Sequence, residues 1–183
     1  MTRAEAIVLL RISLTNENLV KHCIACEAIM EDLAVRLGGE KDLWALAGLL
    51  HDIDYEETRD QPEKHGLLGA MRLTELGFPE EVVATVRAHN DATGFQAITR
   101  MEKALYAVDP ISGFIVACAL VHPERRLLPL DLPFLLNRFK EKSFARGANR
   151  EQIHTCSTLN LTLEDFLALS LCALKNRAKE LEL

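Results

Sequence analysis

The sequence has no excess of basic residues: 21 Lys and Arg stand against 27 Asp and Glu, a formal net charge of −6. A nucleic-acid polymer is normally gripped by a clustered basic surface, so none is expected as a partner. A small phosphorylated ligand stays compatible, because a bound cation adds local positive charge that the total omits. No export signal is expected either, since Met1 to Glu5 carries acid and leads into no cleavable apolar core with a charged flank. The apolar stretch from Phe166 to Leu174 is interrupted by Ser170 and falls short of the roughly 18 residues that span a bilayer, so no membrane partner is expected. The five cysteines, at 23, 26, 118, 156 and 172, are odd in number and scattered, unlike a secreted disulfide framework. A reducing cytoplasm is the expected location. Cys23 and Cys26 form one CxxC without a second, inside an apolar helical pattern, and read as packing rather than as zinc or redox chemistry.

Strand-like alternation and fixed-period repeats are also missing. With 183 residues, 49% hydrophobic and 26% charged, the chain has the balance of one globular domain over 1–183. The expected class is all-α, a compact helical bundle. Thr2 to Glu5 has capping-box spacing ahead of a first helix through Leu14. A second helix should start near Thr15 or Asn16 and stop at Gly38-Gly39, where glycine can take the left-handed turn. The run Leu43 to Leu50 reads as a buried helix entering His51-Asp52. Pro62 suits the first turn of a helix ending at Gly77, and Pro79 begins the next, which ends near His89. Further helices are expected over Met101 to Val121, from Asp131, from Asn149 or Arg150, and from Thr162 to about Leu181. The last of these close the core.

Polar residues on inward faces carry the chemistry. His22 lies on a face shared with Leu19, Cys26 and Ile29, so its imidazole should point inward. Alone it would be an ordinary core histidine. Asp52 is a stronger anomaly, because a carboxylate at the end of a buried helix is costly without a cation or several donors. His65 leads a helix with Gly66, Gly69 and Ala70, His89 closes another, and Asp109 precedes Pro110 in an apolar helical segment at an expected kink.

The order His22, His51-Asp52, His65, His89, Asp109 resembles the HD-domain superfamily of metal-dependent phosphohydrolases, from about Asn18 to Val121. Leu49-Leu50-His51-Asp52-Ile53-Asp54, His65 to Ala70, Arg87 to Asn90 and Tyr106 to Pro110 carry the resemblance in order. It implies that His22, His51, Asp52 and Asp109 bind a first metal, and that His65 and His89 bind a second with Asp52 bridging. Imidazole and carboxylate ligands suit Mn, Fe, Ni, Co or Zn, and one or two divalent ions are expected. Three positions beyond Asp52, where many relatives carry Lys or Glu, stands Tyr55. Besides Asp52, the catalytic candidates are then Asp54 and Glu56, although an acidic loop is also an ordinary solvated surface.

The implied reaction is hydrolysis of a phosphate ester or anhydride of a nucleotide or other small phosphorylated metabolite by metal-activated water. Lys142 and Arg146 are candidate substrate-phosphate contacts, weighed against plain surface solvation. Two other classes fit the same residues: a non-catalytic metal or nucleotide-binding regulatory module, and a di-iron oxygenase. An apolar helical surface could also pair two copies in a homodimer.

Overall fold

A computed structural model describes residues 1–183 as helices and connecting turns, without strands. Helices α1 (Arg3–Ser13), α2 (Glu17–Leu37) and α3 (Lys41–Leu50) begin the chain, and a single turn, α4 (Tyr55–Thr58), follows. Then come α5 (Leu67–Glu75), α6 (Glu80–Ala88), α7 (Arg100–Val121), α8 (Leu132–Lys140), α9 (Arg150–His154), α10 (Leu163–Asn176) and α11 (Ala178–Leu181). The all-α expectation is met.

Local chemistry sets most of these boundaries. Thr2 and Glu5 form the capping box that opens α1, and Asn16 caps α2 by accepting from the Asn18 N–H. Gly38 ends α2 in the left-handed region at φ 72°. A second capping box, Thr99 with Glu102, opens α7, while Asp131 and Thr162 cap α8 and α10. The terminal helix expected to run to Leu181 is instead divided at Arg177 into α10 and α11.

Two helices form the scaffold of the site. Helix α2 packs against α3, α7 and α10. It approaches α3 so closely that a Cβ on Gly48 would lie 2.8 Å from the Cys26 backbone. Glu27, buried in α2, is satisfied by both nitrogens of an Arg3 fork at 2.6 and 2.7 Å. Helix α7 is long and apolar enough to cross a membrane by length and composition, but most of it is buried in the core against α2, α6 and α9. It passes through Pro110 without ending. Proline has no N–H for the carbonyl four residues back. That carbonyl, on Tyr106, accepts instead from the Gln152 side-chain amide at 2.8 Å. The helix therefore continues past the proline, and Asp109 stays within it.

The segment after Pro62 departs from expectation. Residues 62–66 form turns, and α5 starts only at Leu67, after Gly66 at φ 89°. The backbone N–H groups of Gly66 and Gly69 both donate to Asp54 Oδ2, at 2.8 and 2.7 Å. A carboxylate from a distant part of the chain thus caps α5 and decides where it begins.

Candidate metal centre

Six side chains from five segments meet where the ends of α3 and α6 face α2 and α7. His51 and His89 are the residues that close α3 and α6. In each, Nδ1 donates to the carbonyl three residues back, Gly48 at 2.9 Å and Val86 at 2.5 Å. Those carbonyls are among the last of their helices, which lack N–H partners within the helix. One hydrogen bond therefore satisfies a helix end, fixes the tautomer and aims Nε2 outward along the helix.

The other two imidazoles are held by side chains. His65 Nδ1 donates to Asp54 Oδ1 at 2.8 Å. His22 Nδ1 faces the Ser112 hydroxyl at 2.9 Å, and that hydroxyl donates to the Asp109 carbonyl at 2.9 Å. With Nδ1 of all four rings engaged in this way, every Nε2 is turned to the same space and offers a lone pair there once its ring is neutral.

Asp52 lies between them, nearly buried. Its Oδ2 lies 3.6 Å from His22 Nε2, while its Oδ1 lies 3.4, 3.2 and 3.7 Å from His51, His65 and His89 Nε2. Asp109 Oδ1 is 3.2 Å from His22 Nε2. The His22 and His51 Nε2 atoms are 3.2 Å apart, and those of His65 and His89 are 3.1 Å apart. Each pair is close enough to share one proton, or one cation in its place. Ligand atoms about 2.1 Å from one ion stand about 3.0 Å apart at a right angle and about 3.4 Å at a tetrahedral angle. Five of the seven separations, 3.1–3.4 Å, fall in that range, so this cluster could hold a divalent ion. Asp52 is the central carboxylate, with one oxygen toward His22 and the other toward His51, His65 and His89.

Without an ion the electrostatics divide. Burial opposes a proton on His22 and His65, but Cys26, Asp109 and Asp52 hold His22 well above its usual range, and Asp52 and Asp54 raise His65 to about 10. Both rings therefore carry a proton that a bound cation would displace. Burial pushes His51 down to about 4, so its ring is neutral at physiological pH. Burial works against ionisation of Asp52, but the surrounding imidazoles hold its carboxyl well below the usual range. Asp54 is likewise lowered: burial opposes it, while His65 and the Gly69 and Gly66 N–H groups prevail.

Of the residues expected from sequence, His22, His51, Asp52, His65, His89 and Asp109 are brought together. Asp54 and Glu56, the further acid–base candidates, have their oxygens engaged by other groups. Asp54 is fully buried, with its oxygens engaged by His65, Gly66 and Gly69. Glu56 turns to the α1–α2 connection and accepts from the Thr15 and Asn16 N–H groups and the Thr15 hydroxyl. Tyr55 sets its ring edge-on to His65, centroids 5.2 Å apart. Lys142 and Arg146 are exposed on the α8–α9 loop; Ala145 and Gly147 of that loop line a recess with His22 and Asp109.

Two participants escaped the sequence reading. Ser112 fixes His22 from α7, one helical turn beyond Asp109. Cys26, read as packing, lies on the same face of α2 as His22, with its sulfur 3.8 Å from His22 Nε2. Burial raises the Cys26 thiol, so it remains protonated. Its i+4 spacing from His22 was the available signal.

The model of the HD domain matches residues 19–112, a span containing all six converging residues and Ser112 but neither Lys142 nor Arg146. The chain is 39% identical over 82 residues to an uncharacterized protein of Methanocaldococcus jannaschii, covering 42% of this chain and 47% of that protein. It is 27% identical over 98 residues to ribonuclease Y of Cutibacterium acnes, covering 53% of this chain and 18% of that enzyme. Ribonuclease Y of Thermobifida fusca is 27% identical over 139 residues, covering 74% of this chain and 27% of that enzyme. The chain thus spans about half of the first relative and about a quarter or less of the two ribonucleases.

Proposed function

The chain belongs to the HD-domain family, and from that premise we propose that it is a metal-dependent phosphohydrolase acting on a phosphate ester or anhydride of a nucleotide or other small phosphorylated metabolite. One observation carries the reading: four Nε2 atoms and two carboxylates converge while every Nδ1 is engaged elsewhere. Such a constellation suits cation binding better than core stability, because it gathers four imidazoles and two carboxylates at one point while the far nitrogen of each ring is held.

His22, His51, Asp52 and Asp109 would hold one ion, and His65 and His89 a second, with Asp52 shared. A divalent ion supplies Lewis acidity toward the phosphoryl oxygens and lowers the pKa of water. The protein's own contribution is orientation. Ser112, Gly48, Asp54 and Val86 fix the four rings, and the buried side of the cluster excludes solvent. Asp109, with about a third of its side chain exposed, is the ligand nearest the open side, where water and substrate would enter. In hydrolysis, water oxygen bonds to phosphorus, the bond from phosphorus to the leaving oxygen breaks, and a proton passes to that oxygen. Lys142 and Arg146 would meet the substrate phosphate from the α8–α9 loop.

The test is metal content by elemental mass spectrometry of protein purified without chelator, with phosphate release from nucleotides and small phosphate esters after reloading single metals. Near-stoichiometric transition metal, lost in His51→Ala together with turnover, is the expected outcome. Metal without turnover would point to a regulatory module, oxygen consumption with bound iron to an oxygenase, and no metal under any loading would overturn the proposal.

A further inference from the structure

Helix α7 is buried on nearly every side, yet one stripe is uncovered: Gly113, Val116, Ala117 and Leu120 follow Asp109 at helical spacing on a single face. This face forms the floor of two recesses that meet at Gly113 and both include His22. The smaller, about 320 Å³, is walled by Asp109 and by Ala145, Gly147 and Ala148 of the loop that carries Lys142 and Arg146. The larger, about 480 Å³, is walled by Val116, Leu120, Leu181 and Leu183 and also by the polar Asn18 and Ser112. Its one cation, Lys21, is already paired with Glu182 at 2.5 Å.

Gly113 itself is unexplained by packing. A Cβ there would meet nothing within 4 Å, unlike Gly48, where the neighbouring helix demands a glycine. A glycine inside a helix is less stable than alanine, so its presence over open space calls for another reason. Leaving the saddle between the recesses bare is such a reason.

We infer that the two recesses form one cleft for a phosphate monoester with a compact, uncharged, largely apolar organic group: the phosphate lies by Asp109 and the α8–α9 loop, and the organic group lies over Gly113 in the larger recess. The size lies within the range of small-molecule sites, and four apolar side chains with the Lys21 charge already met by Glu182 disfavour a polyphosphate tail there. This inference rests on the hydrolase reading above.

The probes are phenylphosphonate and methylphosphonate, non-hydrolysable acids with the same head group, titrated calorimetrically into Mn²⁺-loaded protein. The native chain should bind phenylphosphonate about tenfold or more tightly than methylphosphonate. Leu120→Glu, an exposed change at the far end of the larger recess, should erase that preference while keeping Mn²⁺ stoichiometry and methylphosphonate affinity. Gly113→Ala should raise Tm by about 2–4 °C, as relief of a helix-interior glycine does in a chain of this size, yet weaken phenylphosphonate. A merely structural glycine would not give those opposite signs. Equal binding of both probes by the native protein, or an unchanged preference in both variants, overturns the cleft assignment alone. Failure to bind Mn²⁺ and every other divalent transition metal tried in its place, or binding of neither probe, overturns the hydrolase reading and this inference with it.

Discussion

His51 and His89 show how single residues build this centre. Each ends a helix, returns Nδ1 to a carbonyl three residues back, and so points Nε2 into the cluster. Asp54 does the same work at a distance, holding His65 by its ring N–H while capping α5 through Gly66 and Gly69. Asp54→Asn keeps the size but replaces one acceptor oxygen with a donor, so either the His65 tautomer or the α5 cap is lost. Metal affinity should fall about 10–100-fold, the usual cost of removing such a supporting partner. Calorimetric titration with Mn²⁺ checks this, and unchanged affinity would return Asp54 to a purely structural place. The six converging residues were legible in the sequence because their order resembles the HD superfamily; His22 alone reads as an ordinary core histidine, and only the buried Asp52 carboxylate is anomalous by itself. The work of Asp54 was not, since its partners His65, Gly66 and Gly69 reach it only through a fold-dependent turn.

At the scale of elements, the site depends on how closely α3 can approach α2 and on α7 continuing through a proline. Gly48→Ala would place a methyl 2.8 Å from the Cys26 carbonyl and push α3 away from α2. Because α3 delivers His51 and Asp52, overpacking of this kind should cost about 1–3 kcal/mol and weaken metal binding as well. Urea denaturation with parallel metal analysis reads both, and a fully stable, fully loaded variant would contradict the close-approach argument. Gln152→Leu leaves the Tyr106 carbonyl without its donor and should cost about 1–3 kcal/mol. Its metal content should stay near native if the proline bend needs no more than local support; thermal melts and elemental analysis separate the two effects. Capping residues made most helix starts readable in advance. The start of α5 was misjudged because Pro62 offers a local signal that the Asp54 carboxylate overrides from outside the segment.

Across the whole molecule, α2 and α7 run through a shared core that includes most of the apolar side chains and surrounds the buried side of the cluster. Metal binding to the folded state alone would stabilise it by about 2.7 kcal/mol at a concentration 100 times Kd. For a chain of this size that corresponds to about 5–10 °C in Tm. Thermal unfolding with Mn²⁺ and then with chelator measures the shift; no shift would mean that the cluster holds no ion of consequence. What the sequence by itself determined was the all-α class, the capped helix starts and the identity of the six converging residues. Local propensity, helical periodicity and the cost of burying charge are all written along the chain. What only the tertiary structure decided was the pairing: which acceptor fixes each imidazole, which way Asp52 divides its two oxygens, and that Gly113 lies over open space. Those facts depend on separations between segments distant in sequence, and such separations follow from packing rather than from any local pattern.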